Sequence, residues 1–352
     1  MTNAKPIIFD GHNDVLSKIF SEGGPARAAS FLEGREGAID LKKAEVGGFG
    51  GGFSAVYVPS KFDLEFSYQE MEKASYSLPL PEPIEWNEAV AVVASQVTIL
   101  RELERLGCLT ICRSVSDIRS AFEDGKIASI FHIEGAEAID PDLHMLEVLH
   151  SAGLRSIGPV WSRPTIFGEG VPFSFPSSPN IGSGLTELGI ALVKRCNELN
   201  IMIDLSHLNE AGFWDVARHS TAPLVATHSN AHSITQHSRN LTDKQLRAIA
   251  DSDGMVGLNF AAAFLREDGK MLADVPLSQM LKHLDYLLEI LGEDRVGLGS
   301  DYDGAVMPDK LTDLSDLSNL RQAMKNHGYD EKIIEKICHE NWLRVLQKTW
   351  GC

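Results

Sequence analysis

The sequence predicts an α/β fold of the (β/α)8, or TIM-barrel, class with long loops at the carboxyl-terminal rim. Three observations carry this. Eight short, β-rich apolar runs recur along the chain, helical segments separate them, and no glycine-rich phosphate turn follows the first run. Continuously apolar runs are those of parallel strands buried on both faces. Eight of them alternating with helices favour a closed barrel. The missing glycine-rich turn argues against a doubly wound sheet.

The runs are PIIFDGHND (6–14), GFSAVYV (52–58), ASIFHIEG (128–135), LRSIGPVW (154–161), IMIDLSH (201–207), LVATHSN (224–230), GMVGLNF (254–260) and RVGLGSDYDG (295–304). Among the connections, EAVAVVASQVTILRELERLG (88–107) repeats apolar residues at helical spacing. GLTELGIALVKRCNELN (184–200) carries Thr186 as a helix cap. LTDKQLRAIADSDG (241–254) carries Thr242 as a cap and Gly254 as a stop, and LSQMLKHLDYLLEILG (277–292) also ends at a glycine. Helical segments around 315–326 and 330–349 complete the pattern. The loops 17–37, 59–86 and 162–183 are long. In a barrel such loops line or cover a site, while a tolerated surface insertion is the competing reading of each. No repeat, linker or low-complexity segment divides the chain, so residues 1–352 read as one domain.

Asp and Glu number 49 against 32 Lys and Arg, for a net charge of −17. Without a basic patch, such a chain is a poor partner for nucleic acid or an anionic membrane. No segment approaches the roughly 20 apolar residues that span a bilayer. The start, MTNAKPIIFDGHND, lacks the apolar stretch of a signal peptide, which leads to the expectation of a cytoplasmic protein. Cys108, Cys112, Cys196, Cys338 and Cys352 are odd in number and expected to be reduced thiols. Cys108 and Cys112 lack a second Cys or His pair nearby, so they do not form a zinc knuckle.

The chemistry lies in where the polar residues fall. His12 and Asp14 follow the first run, Glu134 ends the third, His207 the fifth, His228 the sixth and Asp301 the eighth. All six stand at carboxyl ends of strands, the rim where barrel active sites form. His12 and Asp14, two apart, point the same way and can reach one ion. Glu134, after an apolar run, needs a cation or a donor network, and a salt bridge is its competing reading. Either His207 or His228 alone would read as a core histidine. Together, beside the other rim residues, they point to metal. Imidazole and carboxylate without thiolate suit Zn2+, with Mn2+, Co2+ and Fe2+ open. Two ions sharing Glu134 would use the set economically, about 3.5–4 Å apart around a bridging hydroxide. Asp301 would then be free to carry the nucleophile's proton.

DGHND (10–14), IEG (133–135), GLTELGIALVKRCNELNIMIDLSH (184–207), THSNAHS (227–233), SRNLTD (238–243) and GLGSDYDG (297–304) resemble, in order, the motifs of the renal (membrane) dipeptidase family within the amidohydrolase-type barrels. The resemblance implies a dinuclear zinc dipeptidase acting on small dipeptides, including L-Xaa-D-Xaa. It implies that His12 and Asp14 bind one ion, that His207 and His228 bind the other, and that Glu134 bridges them. Asp301 would be the proton shuttle, and Arg239 would hold the substrate's free carboxylate, a role suited to a guanidinium fork. A homodimer is also implied.

One position departs from that pattern. Trp161 stands where animal members of the family carry a histidine that contacts the scissile carbonyl oxygen. Four readings stay open: the indole N–H donates that bond, Arg163 substitutes for it, the substrate is another amide, cyclic imide or lactone, or Trp161 is an aromatic wall. A non-catalytic barrel used as a binding module is a further reading, opposed by the presence of all six rim residues. His232 and His237, between His228 and Arg239, are weighed as substrate contacts. Asp303 is read as structural or as the carboxylate behind a metal-bound histidine. His132 and the remaining histidines are read as ordinary.

Overall fold

In a computed structural model, the structure describes residues 7–60 and 64–351. Pro6 of the first run, residues 61–63 of the second long loop and Cys352 lie outside the described residues.

All eight runs form parallel strands: β1 (Ile8–Asn13), β2 (Phe49–Tyr57), β3 (Ile127–Glu134), β4 (Leu154–Gly158), β5 (Met202–Ile203), β6 (Val225–Ala226), β7 (Met255–Asn259) and β8 (Val296–Gly299). Pairing runs β5–β4–β3–β2–β1–β8–β7–β6. A bridge between Asp204 and Val225 joins β5 to β6 and closes the ring. This is a nearly closed eight-stranded barrel of the (β/α)8 type. β5 and β6 are shorter than their apolar runs because side chains take over their hydrogen bonding near the rim. Asp204 accepts from the backbone N–H of both Ser206 and Thr227, at 3.1 and 2.9 Å.

The expected helices form at Trp86–Arg105, Glu187–Glu198, Asp243–Asp251, Leu277–Leu291 and Leu317–His327. The expected segment 330–349 divides into Glu331–Glu335, a π-turn over Lys336–Glu340, and Asn341–Trp350. Thr186 caps its helix by accepting from Gly189 N–H, and Thr242 forms a capping box with Gln245. Gly254 has a different role from the expected stop. Asp253 takes the left-handed conformation (φ 55°), and a Cβ on Gly254 would collide with the Leu224 carbonyl beside β6. Further helices, Val15–Ser21, Leu41–Gly47, Val115–Glu123, His144–Ala152 and Glu210–His219, complete the outer layer.

Two features position the site. Trp342, fully buried, rises from helix Asn341–Trp350 into the barrel floor. Its indole donates to Leu298 O at 3.0 Å and packs on Phe53 at 5.2 Å between ring centroids. Cβ atoms on Gly11, Gly257 or Gly297 would crowd the indole, so these glycines shape its seat. At the opposite end, the long loops meet over the rim. Tyr76–Ser77, from the loop after β2, pairs antiparallel with Ser174–Phe175, from the loop after β4.

Candidate metal centre

The rim residues converge. Glu134 Oε1 lies 3.0 Å from Nε2 of His207, 3.4 Å from Nε2 of His228 and 3.6 Å from Nε2 of His12. Asp14 Oδ2 is 3.4 Å from His12 Nε2. The carboxylate of Asp301 groups with His12 and Asp14. The strands achieve this by ending together. The Asp301 N–H donates to His12 O at 3.0 Å, and the Asp14 N–H to Tyr302 O at 2.9 Å, tying the end of β1 to the turn after β8. Within that turn Asp301 is left-handed (φ 62°), a conformation that Asp tolerates better than most residues. Its Oδ2 accepts from Asn259 Nδ2 at 2.9 Å.

Asp10 anchors the same corner, accepting from Ser300 N–H at 2.6 Å and Ser300 Oγ at 2.7 Å. Burial pushes its carboxyl up to about 6 even against the Ser300 donors. The carboxylate behind His228 is Asp204, not Asp303. Asp303 accepts from Ala38 N–H at 2.7 Å and Arg35 Nη1 at 3.2 Å and so holds the loop after the first helix. Asp204 Oδ2 accepts from the Thr227 hydroxyl at 2.6 Å, and Thr227 Oγ1 lies 2.8 Å from His228 Nδ1. With its one proton given to Asp204, Thr227 Oγ1 must accept from His228 Nδ1–H. The Nε2 of His228 therefore presents a lone pair to Glu134 and His207. Sequence reasoning missed Asp204 and Thr227. Their only signal was their place at the ends of β5 and β6.

The electrostatics favour a cation here. Burial would strip the proton from His12, but Glu134, Asp14 and Asp301 outweigh it and lift the imidazole to about 10. Burial holds His207 well below its ordinary value, helped by Arg239 and His12, and does the same to His228. It pushes Glu134 well up, against the pull of His12, and raises Asp301 too. Both ring nitrogens of fully buried His12 lack a hydrogen-bond partner among the described residues. Buried nitrogen lone pairs around a carboxylate, with no thiolate, are the donor set of a divalent metal, and these residues fit one.

Around the cluster, Arg239 is buried, donates to Ser206 O and to His228 O (3.3 Å), and packs its guanidinium 5.3 Å from the Phe264 ring. Its Nε has no hydrogen-bond partner among the described residues. Burial lowers it to about 10, which leaves it charged at neutral pH. Trp161 sits in an aromatic wall with Tyr57 (5.1 Å), Phe173 (5.6 Å) and His207 (5.8 Å). Arg163 is tied to Glu137 Oε1 by Nε (2.9 Å) and Nη2 (2.7 Å), and to Val58 O and Ser60 Oγ. His232 holds Ser177 O at 2.7 Å. His237 accepts the Arg239 backbone N–H at 3.0 Å, and its own Nε2 has no partner among the described residues.

The model of the membrane dipeptidase family, peptidase family M19, matches residues 2–350. The chain belongs to this family. As a family M19 member it is a metallo-dipeptidase, a metal-dependent hydrolase. It is 51% identical to a metallo peptidase from Rhodobacter sphaeroides liganded with a phosphinate mimic of the dipeptide L-Ala-D-Ala, covering 97% of this chain and 99% of that one with a TM-score of 0.95. Dipeptidase AC, of the same family, is also 51% identical with a TM-score of 0.95, over 98% of this chain and 99% of that one. An uncharacterized protein in the pqqA 5′ region of Klebsiella pneumoniae is 48% identical over 75% of this M19 dipeptidase and 98% of its own length. Among the described residues, no helix of the dipeptidase is long and apolar enough to cross a membrane.

Proposed function

We propose that the protein is a dinuclear zinc dipeptidase, working as one domain on small dipeptides that include L-Xaa-D-Xaa. The observation that carries this reading is Glu134 Oε1 standing among the Nε2 atoms of His12, His207 and His228 at 3.0–3.6 Å. In this reading His12 and Asp14 hold one ion, His207 and His228 the other, and Glu134 both. When bound, the ions supply Lewis-acid polarisation of the scissile carbonyl and activation of the attacking water.

The chain's own residues do the rest. Arg239 binds the substrate carboxylate, charge to charge, from beneath Phe264. Asp301, oriented by Asn259, takes a proton from the attacking water and delivers it to the departing amine. Thr227 and Asp204 hold His228 in the tautomer that leaves Nε2 free. Trp161 and Phe173 wall the site and exclude water. The relative from Rhodobacter sphaeroides, liganded with a phosphinate mimic of L-Ala-D-Ala, supports a dipeptide substrate of this stereochemistry.

Trp161 favours a second reading, in which the substrate is another amide, a cyclic imide or a lactone. One screen separates the two. Zinc-loaded protein is offered L-Xaa-L-Xaa and L-Xaa-D-Xaa dipeptides alongside N-acyl amino acids, cyclic imides and lactones, with metal content measured on the same sample. Two zinc ions per chain and turnover of dipeptides alone are expected. Turnover confined to the other classes would transfer the assignment to the second reading.

A further inference from the structure

Beside the metal-ligand cluster lies a cleft of about 350 Å3, formed where the two long loops meet. Leu78, Pro79, Leu80, Pro81 and Glu82 line it from the loop after β2. Trp161, Ser162, Pro172 and Phe173 line it from the loop after β4. Its walls abut the cluster. Ser162 Oγ lies 3.4 Å from His207 Nδ1, and the rings of Trp161 and Phe173 stand 5.8 and 6.4 Å from that of His207. Antiparallel pairing of Tyr76–Ser77 with Ser174–Phe175 fastens both walls to each other. Leu78 N–H donates to Phe173 O at 2.9 Å, which fixes two of the lining residues directly.

The composition of these walls sets what they accept. Among the described residues lining the cleft, Glu82 is the sole ionisable one, and it is an acid. Leucine, proline and aromatic surface gains by covering an apolar group, and among the described lining residues no cation offsets the desolvation of a carboxylate. Arg163, whose guanidinium lies 5.7 Å from the Trp161 ring, is fully buried and tied to Glu137 Oε1 through both Nε and Nη2.

We infer that this cleft is the specificity pocket of the enzyme: it takes a bulky apolar side chain of the dipeptide, aromatic or branched aliphatic, and rejects acidic ones. The inference rests on the dipeptidase reading and adds the substrate's side-chain class. Trp161 thereby acquires a function of its own, as the face on which that side chain packs next to His207.

The test uses zinc-loaded, full-length protein and two substrate series, L-Ala-D-Xaa and L-Xaa-D-Ala, with Xaa as Ala, Leu, Phe and Glu. In one series, kcat/KM for Leu or Phe should exceed that for Ala about tenfold or more, with Glu the poorest. Whichever series responds identifies the dipeptide residue that fills the cleft. Leu80 is half-buried in the wall, so its replacement spares the core. In Leu80→Arg the ratio of kcat/KM for Phe over Glu should fall at least tenfold, and Leu80→Ala should lower the Phe/Ala ratio without favouring Glu. Thermal melts of both variants confirm folding. Equal kcat/KM across Xaa in both series, or a preference for Glu or Ala in both, would overturn the inference and leave the dipeptidase reading intact. No turnover of any dipeptide would overturn that reading itself.

Discussion

Nε2 of His207 faces Nε2 of His228 at 3.1 Å. His228 Nδ1 already gives its proton to Thr227, so the facing Nε2 is a lone pair, and a cation between the two rings satisfies both nitrogens. Thr227 is therefore expected to set metal affinity without touching metal. Thr227→Val should weaken zinc binding about 10- to 100-fold, measured by competition with a chromophoric chelator. Affinity unchanged from the parent would rule out this tautomer.

Asp301 groups with His12 and Asp14, and Asn259 fixes its carboxylate. As a proton carrier it should matter to turnover more than to metal binding. Asp301→Asn is expected to lower kcat about 10²- to 10⁴-fold while the protein retains two zinc ions per chain. Loss of metal in parallel with activity would make Asp301 a ligand instead.

Arg239 is placed by two backbone carbonyls and the Phe264 ring. Arg239→Met removes the charge that would meet a substrate carboxylate. A hydrogen bond to a charged group contributes about 1.5–3 kcal/mol, so kcat/KM should fall roughly 10- to 100-fold for a free dipeptide. The dipeptide amide, already lacking the carboxylate, should change little. An equal fall for both substrates would show that Arg239 acts by holding Ser206 and His228.

His283, in helix Leu277–Leu291, is buried and links the loop after β6 to Leu265. Its Nδ1 accepts from Ala231 N–H at 3.3 Å, and its Nε2 donates to Leu265 O at 3.0 Å. Burial lowers its pKa to about 4 from the 6.5 of an ordinary histidine, although the Leu265 carbonyl opposes the shift. Above pH 6.5 the residue is neutral whether the chain is folded or not. As pH falls from 6.5 to 4 the unfolded chain takes up a proton that the folded one refuses, so stability drops across that window. The full effect is about 3 kcal/mol. In urea titrations at pH 6.5 and 4, His283→Gln should lose less stability than the parent by that amount. Parallel losses would refute the assignment.

Trp342 fills the floor of the barrel. Trp342→Ala should cost about 3–5 kcal/mol of stability, read by urea denaturation, because its seat is lined by glycines that have no side chains to collapse into the space. A cost below 1 kcal/mol would mean that the floor repacks.

The rim was legible because a buried strand that ends in His, Asp or Glu breaks an apolar run, and such breaks at five strand ends are visible without coordinates. Thr186 and Thr242 were legible for a local reason, since a cap acts within three residues of itself. Asp204 was not, because its partners, the Thr227 hydroxyl just past β6 and His132 of β3 (Nε2 3.6 Å from Oδ2), come from other strands, and a single aspartate in a strand-end sequence looks like any other turn residue. The pairing of Tyr76–Ser77 with Ser174–Phe175 joins segments nearly a hundred residues apart through two residues each, too few to leave a period. Leu109–Ile111, which pairs with the start of β3, is also too short to register. In the sequence Trp342 is one more apolar residue within a helical segment. Only the glycines at 11, 257 and 297, scattered over three strands, make room for it.

The seat of Trp342 also joins the beginning of the chain to its end. Gly11 and Phe53, from the first two strands, pack against a side chain made some 300 residues later. A chain lacking helix Asn341–Trp350 would leave the first two strands with no floor to pack upon.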